Sequence, residues 1–160
     1  MSRGVNAPLA REVWRWLERH GVRAFCVCPG GRNAPLVAEA GDWPMTFAFE
    51  ERSAAFYALG VAKRLEAPVA VVTTSGTAAA ELLPAAIEAY YAGVPLVLVT
   101  ADRPRRFRGT GAPQAIEQQG LFGVYAPTLD VERAGDLPAE IRLPDGPFHL
   151  NVAFEDPLRE

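Results

Sequence analysis

The sequence predicts an α/β fold: a three-layer sandwich with a mostly parallel central sheet flanked by helices. Three observations predict it. Short apolar runs alternate along the chain with stretches of helical periodicity. Two of those runs, Val69-Ala-Val-Val-Thr73 and Pro95-Leu-Val-Leu-Val-Thr100, are apolar almost throughout, as strands covered on both faces are. The connections between runs carry glycine, proline, asparagine and charge, the composition of turns beyond strand ends.

The elements follow in order. Asn6 is placed to cap a first helix through about His20, with Leu9, Val13 and Leu17 on one face and Gly21 ending it. Arg23 to Cys28 is the first strand and Pro29-Gly-Gly-Arg-Asn33 a loop. A short helix from Ala34 to Ala40 stops at Gly41. Met45 to Phe49 reads as a buried second strand running straight into a helix from Glu51 to Leu65. Val69 to Thr73 is the third strand. Thr74-Ser-Gly76 then turns into an alanine-rich helix, Thr77 to about Tyr91, which Pro84 should kink. Pro95 to Thr100 is the fourth strand, followed by an arginine-rich loop from Asp102 to Gly111. A short helix is expected over Ala115 to Leu121, a strand over Val124 to Leu129, and a further short helix after the polar stretch Glu132 to Pro138. Gly146 to Ala153 closes the series as a final strand. Residues 1–153 make one domain; 154–160 have the polar, proline-containing look of the start of an interdomain linker.

Composition excludes several classes of function. The chain has 160 residues, enough for one real core, and a net charge of −3. That argues against a nucleic-acid footprint, which needs a basic face. No apolar run reaches the length of a membrane span, and the start lacks the apolar core of a secretory signal. Cys26 and Cys28 are the only cysteines. They share one face of a strand, where neighbours two apart are poorly placed to bridge, so buried thiols in a cytoplasmic protein are expected. His20 and His149 are far apart, and no Cys/His spacing suggests zinc.

In open parallel sheets ligands bind beyond the carboxyl ends of the strands. Four polar loops lie there: Pro29–Asn33, Glu50–Ser53, Thr74–Thr77 and Asp102–Gly111. Glu51, at a strand-to-helix junction among apolar neighbours, is a candidate for acid–base chemistry, because desolvation disfavours the charged form of a carboxyl. The plain alternative is a solvated helix start at which Glu50 and Glu51 complement the dipole. Gly76 and Thr77 offer backbone N–H groups to a ligand; the alternative is a helix cap by Ser75 or Thr77. Neither a P-loop nor a dinucleotide fingerprint is present. Arg32 and Arg103 suit two carboxylates of a small acidic substrate, and Gln114 can donate to a carboxylate or carbonyl. Arg105, Arg106 and Arg108 read as surface arginines.

Together these segments form a recognisable set. Cys28-Pro-Gly-Gly-Arg-Asn-Ala-Pro-Leu36, Glu50-Glu-Arg-Ser-Ala-Ala-Phe-Tyr-Ala-Leu-Gly-Val-Ala-Lys63, Thr74-Ser-Gly-Thr-Ala-Ala78, Thr100-Ala-Asp-Arg-Pro104 and Gly111-Ala-Pro-Gln-Ala-Ile-Glu-Gln118 resemble the amino-terminal, pyrimidine-binding domain of the 2-succinyl-5-enolpyruvyl-6-hydroxy-3-cyclohexene-1-carboxylate synthases. These are thiamine-diphosphate enzymes of menaquinone biosynthesis. The resemblance runs from about Asn6 to Pro157. It implies a transferase that decarboxylates 2-oxoglutarate and adds the resulting carbanion to isochorismate. Glu51 matches the glutamate that hydrogen-bonds the pyrimidine ring of thiamine diphosphate. Arg32, Arg103 and Gln114 match positions that hold substrate, and Pro29, Gly30, Gly76 and Thr77 would lie near the ring. Cys28 and Gly31 stand where the family often has serines, Glu50 where aspartate is frequent, and Pro113 where some relatives have asparagine.

The resemblance also implies a second half. Family members bind the diphosphate and Mg2+ (or manganese) through a Gly-Asp-Gly motif in another domain. Here Gly41-Asp42 and Gly135-Asp136 are followed by Trp43 and Leu137. The expectation is a fragment, inactive alone, whose site is completed by the diphosphate domain of a second subunit in a cytoplasmic homodimer. Two alternatives are another carboligase or 2-oxoacid decarboxylase of the superfamily, and a non-catalytic binding module of the same fold.

Overall fold

A computed structural model describes residues 4–156 and residue 158. Six strands form one sheet in the order β2-β1-β3-β4-β6-β5, and every pairing in it is parallel. The strands are β1 Ala24–Val27, β2 Met45–Phe47, β3 Val69–Thr73, β4 Leu96–Asp102, β5 Thr128–Val131 and β6 Phe148–Ala153. The helices are α1 Asn6–Arg19, α2 Ala34–Ala38, α3 Glu51–Leu65, α4 Thr77–Ala80 and α5 Leu83–Ala92.

The period of two along each strand builds two cores. Phe25 and Val27 of β1, Val97 and Val99 of β4, and Leu150 of β6 pack against α1, with Trp14, Trp16 and Leu17. Cys26, Val71, Leu96 and Leu98 point to the other face, onto Ala54, Ala58, Ala85 and Ala89 of α3 and α5. Alanine on those helices lets them lie close to the sheet. Cys26 and Cys28 are both free and buried on that one face.

Several local expectations are corrected. Asn6 does not cap α1. It is the first helical residue, and its side chain donates to the Glu155 carbonyl and accepts from the Glu155 N–H, each at 2.8 Å. The second strand is an edge strand, not a buried one, with Phe47 63% exposed. Pro84 starts a new helix instead of kinking a long one: α4 ends at Ala80 and the proline sits in the first turn of α5. Ala115–Leu121 forms no helix: residues 115–118 are irregular and 119–121 are turn, and the residues after Pro138 form no helix either. The strand expected from Val124 begins only at Thr128. The linker expectation falls partly on residues 157, 159 and 160, outside the described residues.

A candidate cofactor crevice at the switch point

β1 and β3 are neighbours whose onward connections leave in opposite directions. From β1 the chain passes through α2 to the edge strand β2; from β3 it passes through α4 and α5 to β4. Such a switch point leaves a crevice at the carboxyl ends of the strands. The loops Pro29–Asn33 and Thr74–Thr77 flank it.

These loops touch. A Cβ built on Gly30 would fall 2.3 Å from the Thr74 Cβ, so only glycine fits there. The Arg32 N–H donates to Thr74 Oγ1 at 3.1 Å. Gly76 has φ 78° and ψ −138°, a backbone that side chains rarely adopt. Facing it, Gln114 is itself left-handed at φ 55°. The two turns are sewn together: Ser75 Oγ donates to the Gln114 carbonyl and Gln114 Nε2 donates to the Ser75 carbonyl, both at 3.0 Å. Neither Ser75 nor Thr77 caps α4, since Gly76 occupies the cap position without a side-chain bond.

At the start of α3 two adjacent carboxylates have different fates. Glu50 is the cap. Its carboxylate accepts from the Arg52 N–H at 3.1 Å, the Ser53 N–H at 2.7 Å and the Ser53 hydroxyl. Those bonds, the Ser53 hydroxyl first, hold it below the usual carboxylate range. Glu51 is half-buried, and its carboxylate has no hydrogen-bond or ion-pair partner among the described residues. It lies near Cys28: burial first, then the Glu51 charge, pushes the Cys28 thiol up to about 12. A half-buried carboxylate with no internal partner, beside the β1 loop, can take a hydrogen bond from an incoming ligand.

The arginines divide. Arg103 Nε donates to the Pro113 carbonyl at 2.9 Å, which brings the fourth loop against the Gly111–Gln118 segment. Its terminal nitrogens have no partner among the described residues. Arg32 is buried, and its Nη1 donates to the Phe154 carbonyl at 3.1 Å and to Asp156 at 3.0 Å. Arg108 is not a surface arginine. It grips Asp130 through both terminal nitrogens, at 2.9 and 2.7 Å, and reaches Asp102 at 3.2 Å. Asp130 is raised by burial, but bonds from Arg108 and Asn151 outweigh that and leave it lowered. Arg105 also bonds Asp130, at 3.0 Å.

Sequence reasoning missed the buried polar group beneath the crevice: Gln118, Asn151, His149, Thr100 and Asp102. A signal existed. In Phe-His-Leu-Asn-Val-Ala, polar residues two apart sit on one face of a strand buried on both sides. Thr100 Oγ1 gives its single proton to Asn151 at 2.8 Å. His149 Nε2–H therefore donates to Thr100, and Nδ1 accepts from Thr128. Burial lowers His149 to about 3, against a smaller opposing pull from Asp130, so the ring stays neutral.

Fold and crevice define a cofactor-binding domain, and comparison names its class. The chain belongs to the thiamine pyrophosphate enzyme N-terminal TPP binding domain family, whose model matches residues 8–121. Its curated relatives are more particular. It is 56% identical over 144 residues to the 2-succinyl-5-enolpyruvyl-6-hydroxy-3-cyclohexene-1-carboxylate synthase of Akkermansia muciniphila, covering 86% of this chain and 27% of that protein. It is 48% identical over 160 residues to the synthase of the same name from Bdellovibrio bacteriovorus, covering 96% and 30%. The chain thus spans 27–30% of the length of these relatives. A crystal structure of benzoylformate decarboxylase from Polynucleobacter necessarius shares the fold, with TM-score 0.74 and 18% identity over 91% of this chain and 29% of that one. No helix among the described residues is long and apolar enough to cross a membrane.

Proposed function

We propose that this chain is the pyrimidine-side domain of a 2-succinyl-5-enolpyruvyl-6-hydroxy-3-cyclohexene-1-carboxylate synthase that acts on 2-oxoglutarate and isochorismate. The observation that carries the reading is the contrast between Glu50 and Glu51: one carboxylate is used up by the helix cap, while its neighbour is held at the crevice without a protein partner. The residues present fit the pyrimidine edge of thiamine diphosphate. When bound, that cofactor supplies the carbon nucleophile and takes up the charge released by decarboxylation. Glu51 holds a proton between its carboxylate and a nitrogen of the ring. Pro29, Gly30, Gly76 and Thr77 form the walls of the ring's slot, with glycine allowing close approach. Arg103 offers its two terminal nitrogens to a substrate carboxylate and Gln114 offers polar contact, while the Arg32 guanidinium, expected to hold substrate, is instead buried against the Phe154 carbonyl and Asp156.

The reading includes a magnesium or manganese ion and the cofactor's diphosphate, held by a domain outside this chain, in a cytoplasmic homodimer. Exposed apolar surface supports a docked partner: Phe49 is 93% exposed, Tyr91 76% and Tyr57 53%. In the intact enzyme, Glu51→Gln should slow exchange of the cofactor's C2 proton by about 10²-fold or more. Exchange at the wild-type rate would remove Glu51 from the role. A substrate screen of isochorismate against pyruvate as carbanion acceptor separates this synthase from other carboligases.

A further inference from the structure

Gln118 lies in an irregular segment, yet it is fully buried. Its amide is saturated. Oε1 accepts from the Gly76 N–H at 2.8 Å, and Nε2 donates to the Ala101 carbonyl at 3.1 Å and to Asn151 Oδ1 at 2.8 Å. Asn151 is saturated too. Its Oδ1 takes Gln118 and Thr100, and its Nδ2 donates to Asp102 at 2.9 Å and Asp130 at 2.8 Å. Neither amide can be flipped. Gly76 needs an acceptor, and the two carboxylates need donors. Asp102 completes the path, because its Oδ1 accepts the Arg103 backbone N–H at 2.7 Å. Four consecutive hydrogen bonds therefore join the Gly76 peptide to the Arg103 peptide through the buried side chains of Gln118, Asn151 and Asp102.

We propose that Gln118, acting through Asn151, is a positioning residue that sets the cofactor-side turn at Gly76 and the substrate arginine Arg103 in one fixed relation. The inference rests on the function proposed above. Neither amide touches the crevice; each acts by holding a backbone that does. A bond network with every donor and acceptor used has one low-energy arrangement, and emptying one position leaves buried groups unpaired. Replacing Gln118 should release both peptides together, although they belong to different loops.

The test uses the intact protein with Gln118→Met, which keeps length and apolar volume but removes all three bonds. Trp16→Phe is the control. It deletes the partly buried bond from Trp16 Nε1 to the Pro138 carbonyl in the opposite core. In cofactor-free protein, peptide-resolved amide exchange should quicken about 10-fold or more at both Gly76 and Arg103 in Gln118→Met, and at neither in Trp16→Phe. In the loaded enzyme, KM for the acidic substrate should rise in Gln118→Met, with no further rise when the change is added to Arg103→Ala. Faster exchange at Gly76 alone overturns the proposal, and so does an unchanged KM in a variant whose peptides have loosened. If Arg103→Ala itself leaves KM unchanged, the functional reading and the proposal fall together, and that single variant reports it. Should Gln118→Met fail to fold, Gln118→Glu keeps the acceptor for Gly76. It should leave exchange there slow while quickening Arg103; slow exchange at both overturns the proposal.

Discussion

Gly30 and Thr74 pack with no room between them: a side-chain carbon on Gly30 would lie 2.3 Å from the Thr74 Cβ and 2.8 Å from its Oγ1. Two loops from neighbouring strands, forty-odd residues apart, are thereby pressed into one wall. The contact sets the width of the crevice where β1 and β3 part.

Gly30→Ala should therefore destabilise the protein by about 1–3 kcal/mol through overpacking. Its backbone is not in the left-handed region, so the loss is steric alone. A second change, Thr74→Gly, should recover part of it. Thermal unfolding of the single and double variants checks this; equal stability of Gly30→Ala and the parent would mean the loops are not in contact.

Arg103→Ala in the intact enzyme should raise KM for the acidic substrate while leaving exchange of the cofactor's C2 proton within about 2-fold of the parent. Loss of one bidentate charged contact is worth about 2 kcal/mol or more, roughly 30-fold in KM. Equal loss of both activities would contradict the separation of Arg103 from Glu51.

His149 predicts a pH dependence. Its folded value is about 3, lowered chiefly by burial, against an ordinary value of 6.5. Between those two values the unfolded chain binds a proton that the folded chain does not. Stability is therefore intact above about pH 6.5 and falls as pH drops toward 3, by about 1.4 kcal/mol per unit at most. His149→Gln, neutral throughout, should flatten that slope. Denaturant midpoints at about pH 7 and about pH 5 give the comparison, and parallel slopes would count against a buried neutral ring.

Cys28 should be inert in the folded protein. Burial, then the nearby Glu51 charge, raises its thiol to about 12, and thiolate is the reactive form. A thiol reagent at neutral pH should label neither Cys26 nor Cys28 until denaturant is added. Rapid labelling of Cys28 in the native state would show that the β1 loop opens.

Local chemistry is readable where a pattern repeats. The strands at Val69–Thr73 and Pro95–Thr100 were legible because a nearly all-apolar run has few other places to go, but the second continues to Asp102, which had read as loop. α3 was legible because Ala54, Ala58 and Ala62 recur at helical spacing beside charge. The loops that flank the crevice followed from their place at the carboxyl ends of the expected parallel strands. Asn6 and Arg108 were misread for one reason: their partners, Glu155 and Asp130, lie far along the chain. Ala115–Leu121 was misread because Gln118 spends its side chain on Gly76, Ala101 and Asn151, all far from it in the chain.

By itself, the order of residues determined the class of fold, both hydrophobic faces and the candidate carboxylate at the start of α3. Periodicity and desolvation act within a few residues, so a one-dimensional reading can weigh them. Only the tertiary structure decided that Glu50 is spent and Glu51 spare, that Arg32 turns toward Phe154, and that Gln118 holds Gly76. Each of those depends on which polar group a buried atom meets across the sheet. A buried donor or acceptor takes whatever partner the strand order brings within 3 Å or so, and that neighbour is written nowhere near it in the chain.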